Sequence, residues 1–332
     1  MKARYVKEFA EGAHVEATLA LRAKELRAAR TGEAYLALEF ADRTGSIPGV
    51  YFRPCGAAVD VPVGSVVRVH GSVTSFRGAR RISVDAMRPA ETWNSEDLMA
   101  RSPRSADELI AEFTALAKSV THPGLKALLR TVFADKALFE RFSRCPGSQS
   151  YHHAYLGGLV EHTVAVADHC ARIARRYDGV DRDLLVSAAL LHDVGKVDEL
   201  TFDTVFGYTD EGRLIGHVVL GTRRVRDAAA KAGTDSTLLL RLEHAMLSHH
   251  GELEWGSPKR PSTIEALLLH HVDNLDAKAA GFTQVLSGAT LAEEAWTDSA
   301  NLFRRPLFAP RALEDDRPHR AEEDSQHFRL TA

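Results

Sequence analysis

From His14 to about Arg88 apolar and polar residues alternate in short runs divided by turn residues. Val15–Leu26 alternates in part and Ala34–Ala41 (AYLALEFA) more cleanly, the pattern that puts successive side chains on opposite faces of a strand. A turn at Asp42-Arg43-Thr44-Gly45 leads to Ile47–Phe52. Pro62-Val63-Gly64 opens Ser65–Gly71, and Phe76-Arg77-Gly78 separates Val69–Thr74 from Arg80–Ala86. About five strands in about 80 residues, with no room for a helical layer, predict a small closed barrel. Residues 93–104 (WNSEDLMARSPR) are polar, irregular and proline-containing, and read as a linker. From Ser105 the period becomes helical. Ser105 and Glu108 have the spacing of a capping box, and Leu109, Phe113, Leu116 and Val120 follow on one face. Pro123 opens a second helix on Leu125, Leu128, Leu129 and Phe133, Lys136 to Phe142 a third, and the pattern stays helical to about Phe308. The expected order is therefore a barrel over 1–92, a linker over 93–104, a helical domain over 105–310 and a disordered, charged tail over 311–332.

A length of 332 residues suits two domains. No run approaches the ~18 apolar residues of a membrane span, and the N-terminus lacks the apolar stretch of a signal peptide. Three well-separated cysteines, Cys55, Cys145 and Cys170, read as reduced thiols, so a cytoplasmic protein without membrane partners is expected. With no CxxC pair, a zinc ribbon or finger is excluded. The net charge of −3 hides an asymmetry: residues 1–92 carry 14 Lys+Arg against 10 Asp+Glu, and the rest is acidic. A modestly basic barrel fits an anionic partner.

Sixteen histidines are unusual, and most lie between His152 and His271. The apolar run Ala188–Leu191 ends in His192-Asp193, followed by Gly195 and Lys196. Adjacent side chains on a helix point about 100° apart, so this pair can reach one metal only near a helix end or kink, or by bridging two metals. Gly195 would let the backbone turn just past the pair. His162, His217, His249, His250 and Asp273 are likewise flanked by apolar residues that put them on or beside core helices. Any one of them alone is more often structural. Together, within about 110 residues, they point to a metal site.

The barrel's order of strands, its D-x-T-G turn (42–45) and its G-x-x-V-x-V-x-G strand (64–71) resemble an OB-fold. That fold suggests single-stranded nucleic acid held by aromatic platforms and a basic groove. The candidates are Tyr35, Tyr51, Phe52 and Phe76, with Arg53, Arg77, Arg80 and Arg81; the competing reading puts half of these aromatics in the barrel core and the arginines at solvated edges. The order H…HD…H…HH…D resembles the HD-domain metal-dependent phosphohydrolases, which are all-helical. The phrases HHAYLGG (152–158) through EHT (161–163), YTDEGRLIGH (208–217), SHHGELEWGSP (248–258) and DNLDAK (273–278) look like the YhaM-like 3′–5′ exoribonucleases, which place an OB-fold before the HD domain.

That resemblance implies a multidomain chain, an all-β OB-fold barrel followed by an all-α HD domain. It further implies that His162, His192, Asp193 and Asp273 hold one metal, while Asp193 bridges to a second held by His217, His249 and His250. Imidazole with carboxylate suits Mn²⁺, the first choice, and Fe²⁺, Co²⁺, Ni²⁺ or Zn²⁺ better than an oxygen-loving ion such as Mg²⁺, which remains among the candidates. Two metals about 3.5–4 Å apart can clamp the attacking and leaving oxygens of a phosphodiester. Asp193 and Lys196 are the catalytic candidates. Lys196, a turn past His192, would neutralise a phosphoryl oxygen, unless it is a solvated lysine at a helix end. Asp276 could orient a ligand imidazole. His152 and His153 could line the substrate channel or cap a helix, and His244, His270 and His271 read as structural. The implied activity is 3′–5′ exonucleolytic hydrolysis of single-stranded RNA or DNA to nucleoside 5′-monophosphates, by a chain able to assemble as a homo-oligomer. The alternatives are a phosphodiesterase of small or cyclic nucleotides and a non-catalytic single-strand-binding protein.

Overall fold

The computed structural model describes residues 5–28, 32–76, 79–94, 97–149, 152–204, 206–288, 295–299 and 301–309. The tail over 311–332 and Arg77 lie outside the described residues. Five strands form the barrel: β1 (His14–Ala28), β2 (Ala34–Asp42), β3 (Gly45–Phe52), β4 (Val66–Phe76) and β5 (Ala79–Pro89). They close in the order β1-β2-β3-β5-β4, every pairing antiparallel except the β3–β5 contact that seals the barrel. This is the topology of an OB-fold. Alternation sends Leu36, Leu38 and Phe40 inward from β2 and leaves Tyr35, Ala37 and Glu39 facing outward. A short helix, α1 (Gly56–Asp60), links β3 to β4.

The stretches read separately as Ser65–Gly71 and Val69–Thr74 are one strand. Gly71 does not end it. A β-carbon there would lie 2.2 Å from the Ser83 carbonyl, so the glycine permits the close approach of β5 at a bulge in the β4–β5 register.

The helical part runs α2 (Ala106–Lys118), α3 (Pro123–Phe133), α4 (Lys136–Arg144), α5 (Gly158–Ile173), α6 (Arg182–Leu191), α7 (Lys196–Glu199), α8 (Asp210–Leu214), α9 (His217–Ala232), α10 (Ser236–Leu247) and α11 (Ile264–Gly288). A two-stranded ribbon over 200–208 separates α7 from α8. Ser105 stands at the N-cap of α2, but its side chain makes no capping bond, so the expected capping box does not form. The Asp107 and Glu108 carboxylates still complement the helix dipole there.

Helix α6 is the axis of this part. Residues Leu184 to Leu191 are all fully buried, with α2, α3, α5 and α10 packed around them. A helix covered on every side needs no polar stripe, which is why LLVSAALL shows none. Its start is fixed by Asp181, which accepts from the Leu184 N–H, and by Asp183, which accepts from the Thr121 N–H and hydroxyl and the His122 N–H at 2.7 Å each.

The predicted linker is not a loose tether. Leu98 and Met99 are each 1 % exposed and belong to the helical core, joined there by Val66 of the barrel. Ala100 and Ser102 exchange backbone hydrogen bonds with Leu156, and the Asp97 carbonyl accepts from the Arg43 N–H. Residues through Ala280 make one compact unit and those from Gly281 a second. No helix among the described residues is long and apolar enough to cross a membrane.

Candidate metal centre

The buried helix α6 stops at His192, whose backbone is still helical, and a tight turn through Gly195 carries the chain into α7. The turn re-aims Asp193 relative to its neighbour, so both side chains reach the same interior space. His162 comes from the second turn of α5, His217 is the first residue of α9, His249 and His250 follow the end of α10, and Asp273 and Asp276 lie a turn apart on α11.

Asp193 sits between two groups of imidazoles. Its Oδ2 is 3.4 Å from His192 Nε2 and 3.6 Å from His162 Nε2, while Oδ1 is 3.3 Å from His217 Nε2 and 3.7 Å from His249 Nε2. Asp273 Oδ1 completes the first group, 3.0 Å from His162 Nε2 and 3.8 Å from His192 Nε2. His217, His249 and His250 offer ligand atoms within 4.8 Å of one another, and so do His162, His192 and Asp193.

The outer nitrogens explain why all five imidazoles present Nε2 inward. His192 Nδ1 meets the Ala189 carbonyl at 2.7 Å, His249 Nδ1 the Met246 carbonyl at 2.6 Å, and His250 Nδ1 the Trp255 carbonyl at 3.1 Å. His162 Nδ1 meets Asp276 Oδ2 at 2.7 Å, and His217 Nδ1 meets Glu199 Oε1 at 2.9 Å. Carbonyls and carboxylates only accept, so each Nδ1 carries a proton and Nε2 is the nitrogen left to face the interior. His162 Nε2 and His192 Nε2 then face each other at 3.2 Å. Two lone pairs at that distance repel unless a proton or a metal cation lies between them.

Two buried atoms, Asp193 Oδ1 and His217 Nε2, have no hydrogen-bond partner, since their 3.3 Å approach lacks hydrogen-bonding geometry. Such atoms are costly unless a ligand satisfies them. The donor set of imidazoles and carboxylates fits divalent transition metals.

Burial opposes ionisation of Asp193, yet Lys196 and the surrounding histidines hold it well below the usual carboxylate range. The Lys196 ammonium donates to Asp193 Oδ2 at 2.6 Å and to the Gly147 carbonyl at 2.7 Å. Burial would pull this lysine down, but Asp193 raises it. Burial likewise disfavours charge on His162; Asp273 and Asp276 outweigh it and lift the imidazolium to about 9. A metal taking Nε2 must therefore displace a proton. His249 is held neutral by burial and by His250 and His192.

All seven expected ligands thus converge on one interior region. Lys196 is buried rather than solvated, and its charge is directed at Asp193. Asp276 orients His162, and it also contacts His153 Nε2 at 3.0 Å. His152 lines the cavity over the centre, its Nδ1 is buried without a partner, and burial pushes it down to about 3. His244 Nε2 accepts from the Ser262 N–H, and His270 Nδ1 meets the His249 carbonyl at 2.9 Å, both holding backbone. The sequence offered no signal for Glu199. It caps α9 by accepting the His217 N–H at 3.0 Å while orienting the same residue's ring, and those bonds keep it ionised against burial.

Gly195 is needed for packing rather than for its turn, since its φ of −70° is open to any residue. A β-carbon there would lie 2.1 Å from the His217 carbonyl and 2.5 Å from the Gly221 nitrogen. Gly195→Ala should therefore push α9 away from Asp193, costing about 1–3 kcal/mol of stability by overpacking. Urea unfolding beside a metal titration checks this. Unchanged stability with full metal uptake would refute it.

On the barrel, a groove of 690 Å³ is lined by Lys24, Arg27, Tyr35, Phe76, Arg80 and Arg81, among others. Tyr35 pairs across the strands with Phe52, ring centroids 5.5 Å apart, and Phe52 is exposed. The Arg81 guanidinium lies over Phe76 at 4.5 Å, and Arg80 donates to the Phe9 carbonyl. One candidate falls away. Tyr51 is buried in the barrel core with its hydroxyl toward Cys55, because strand alternation cannot send both Tyr51 and Phe52 outward. Arg53 is exposed and paired with Glu33 outside the groove's lining, where Phe52 also stands. Lys24 and Arg27, absent from the sequence-based set, do line it.

The HD domain family model matches residues 159–278, a span that holds all seven expected ligands. The chain is similar to the 3′-5′ exoribonuclease YhaM of Bacillus subtilis (strain 168), 33 % identical over 271 residues covering 80 % of this chain and 86 % of that protein. It is also similar to the 3′-5′ exoribonuclease YhaM of Geobacillus sp. (strain WCH70), 30 % identical over 83 % of this chain and 86 % of that one. Among solved structures it matches a replication protein A heterotrimer bound to ssDNA, with 26 % identity, 26 % of this chain, 65 % of that chain and a TM-score of 0.22. It also matches the second OB-fold domain of replication protein A from Methanococcus maripaludis, with 24 % identity, 27 % and 97 % coverage and a TM-score of 0.22.

Proposed function

The chain belongs to the family of YhaM 3′–5′ exoribonucleases, and from that premise we propose that its centre is a two-metal phosphodiesterase site acting on single-stranded RNA. The protein is a metal-dependent 3′–5′ exonuclease. The observation that carries the finer reading is the convergence of four Nε2 nitrogens on the two oxygens of one ionised carboxylate, Asp193, with His250 grouped beside His217 and His249.

In this reading His162, His192, Asp193 and Asp273 would hold one ion, and Asp193, His217, His249 and His250 would hold the other. Manganese is our first choice. Bound divalent ions supply Lewis-acid charge to the phosphodiester oxygens and lower the pKa of a water. The chain's own groups do the rest. Lys196 keeps Asp193 ionised and brings positive charge to the wall of a cavity that must take an anionic phosphate. His152, held neutral by burial, adds an uncharged ring to the same wall. The products are nucleoside 5′-monophosphates.

Upstream, the barrel groove holds the strand, with Tyr35 and Phe76 in its wall and Phe52 beside Tyr35 as stacking surfaces, and Arg27, Arg80 and Arg81 as cations. A division between a strand-binding barrel and a catalytic helical part, with 93–104 joining them, belongs to this reading, as do a cytoplasmic location and a homo-oligomeric state. The groove favours a polymer over a small cyclic nucleotide, which needs no strand-binding surface.

A 5′-labelled single-stranded RNA incubated with the protein and Mn²⁺ should shorten progressively from its 3′ end. An intact RNA beside hydrolysis of a small nucleotide ester would overturn the choice of substrate. Tyr35→Ala with Phe52→Ala should weaken RNA binding roughly tenfold or more by removing base stacking, at unchanged melting temperature. Anisotropy with a labelled oligonucleotide measures this, and equal affinity would remove the groove from the account.

A further inference from the structure

Trp255 is large, apolar and 53 % exposed, yet it stands in the wall of the 220 Å³ cavity that also contains Asp193, Lys196, His249, His250 and Asp273. It ends a 3-10 turn, Leu253–Trp255, inside the conspicuous phrase GELEWGSP, to which the metal chemistry gives no role. The turn is firmly held. The Trp255 N–H donates to the Glu252 carbonyl at 3.0 Å, and buried Ser257 just beyond donates its hydroxyl to the Lys259 carbonyl at 2.7 Å. The Trp255 carbonyl is the acceptor that fixes His250 Nδ1. Ring and metal ligand are therefore set by one short piece of backbone. Buried His270 lies 6.0 Å from the indole, centroid to centroid, and the Lys278 ammonium lies over the ring at 5.5 Å.

We propose that Trp255 is the stacking platform for the base of the 3′-terminal nucleotide, positioning its phosphodiester at the metal centre. This rests on the exonuclease reading and deepens it. A flat, rigid, half-exposed indole at the edge of a charged cavity matches what a nucleotide presents, an apolar π-face attached to an anion. A base laid on the ring replaces the cation–π contact of Lys278 and frees that ammonium for a phosphate oxygen. Stacking reads no hydrogen-bond pattern, so the platform accepts every base, as an enzyme that removes nucleotides in succession requires. Because the platform's backbone also orients His250, a seated base has a fixed relation to the second ligand group.

The test pairs two 5′-labelled RNAs, identical except that one lacks the base of its 3′-terminal nucleotide, with the wild-type protein, Trp255→Ala and Trp255→Phe. Wild type should favour the intact end by about tenfold in kcat/KM, mostly through KM, as expected for one aromatic stack. Trp255→Ala should erase that preference, and Trp255→Phe should keep most of it. Anisotropy with the metal chelated should give the same ratio in Kd, independent of turnover. If wild type cleaves RNA but the preference survives in Trp255→Ala, the platform is wrong and the exonuclease reading stands. If Trp255→Ala slows both RNAs equally and loses metal, Trp255 merely supports His250, and the platform is again wrong. If wild type cleaves neither RNA, the exonuclease reading fails, and the chelated binding ratio still decides whether the ring holds a base.

Discussion

Asp193→Ala is expected to abolish exonuclease turnover, by at least about 10³-fold, and to leave the purified protein with little bound metal. The expectation follows from the carboxylate's position between both imidazole groups: its Oδ2 approaches His162 and His192 on one side and its Oδ1 approaches His217 and His249 on the other. The substitution also has a structural consequence that must be separated from the chemical one. Lys196 is buried, and its ammonium is neutralised by Asp193 at 2.6 Å. Removing the acid strands that charge, which typically costs about 3–5 kcal/mol. The double variant Asp193→Ala, Lys196→Met removes the stranded charge and should recover most of that stability while remaining metal-poor and inactive. Metal analysis, urea unfolding and the RNA ladder on both proteins distinguish the effects. Activity in the double variant would show that neither residue takes part in catalysis, and full metal occupancy in either would show that Asp193 is not a ligand.

The parts of this structure legible in the sequence were those where polarity breaks an apolar pattern. His192-Asp193 ends a helix that is buried all round, so a charged pair there had to serve a site, and the other ligands stand out for the same reason. The five strands were legible because alternation is a local property. Facing was harder. In Tyr51-Phe52 both residues are plausible platforms, and only the pairing of Phe52 with Tyr35 shows which one faces out. The joint over 93–104 reads as polar because, among its described residues, only Leu98 and Met99 carry its burial, and their partners are distant in sequence. Glu199, and the burial of Lys196 against Asp193, escaped for a related reason. A lysine or glutamate at a helix end is ordinarily solvated, and nothing local says that α9 and the segment around Gly147 close over these two. Gly195 was noticed for the wrong physical cause, a turn instead of a contact with a helix that begins 22 residues later.

Asp276 and Glu199 allow the two groups of ligands to be emptied one at a time. Neither is expected to touch a metal; each holds the proton of one ligand's Nδ1, Asp276 for His162 and Glu199 for His217. Without its acceptor a buried imidazole is free to turn or to move its proton to Nε2, and either change removes the lone pair the ion needs. Asp276→Ala should therefore weaken metal binding by about 100-fold at the group of His162, His192 and Asp273, near the upper end for such outer partners because it also releases His153. Glu199→Gln should do the same by about 10-fold at the group of His217, His249 and His250, less because the amide oxygen can still accept from Nδ1. The two groups differ in composition, so calorimetric titration with Mn²⁺ should show two classes of site in wild type, with the first weakened in one variant and the second in the other. Loss of both classes together in each variant would mean a single ion shared by all seven ligands. The bridging role of Asp193 would then have to be replaced by one crowded site.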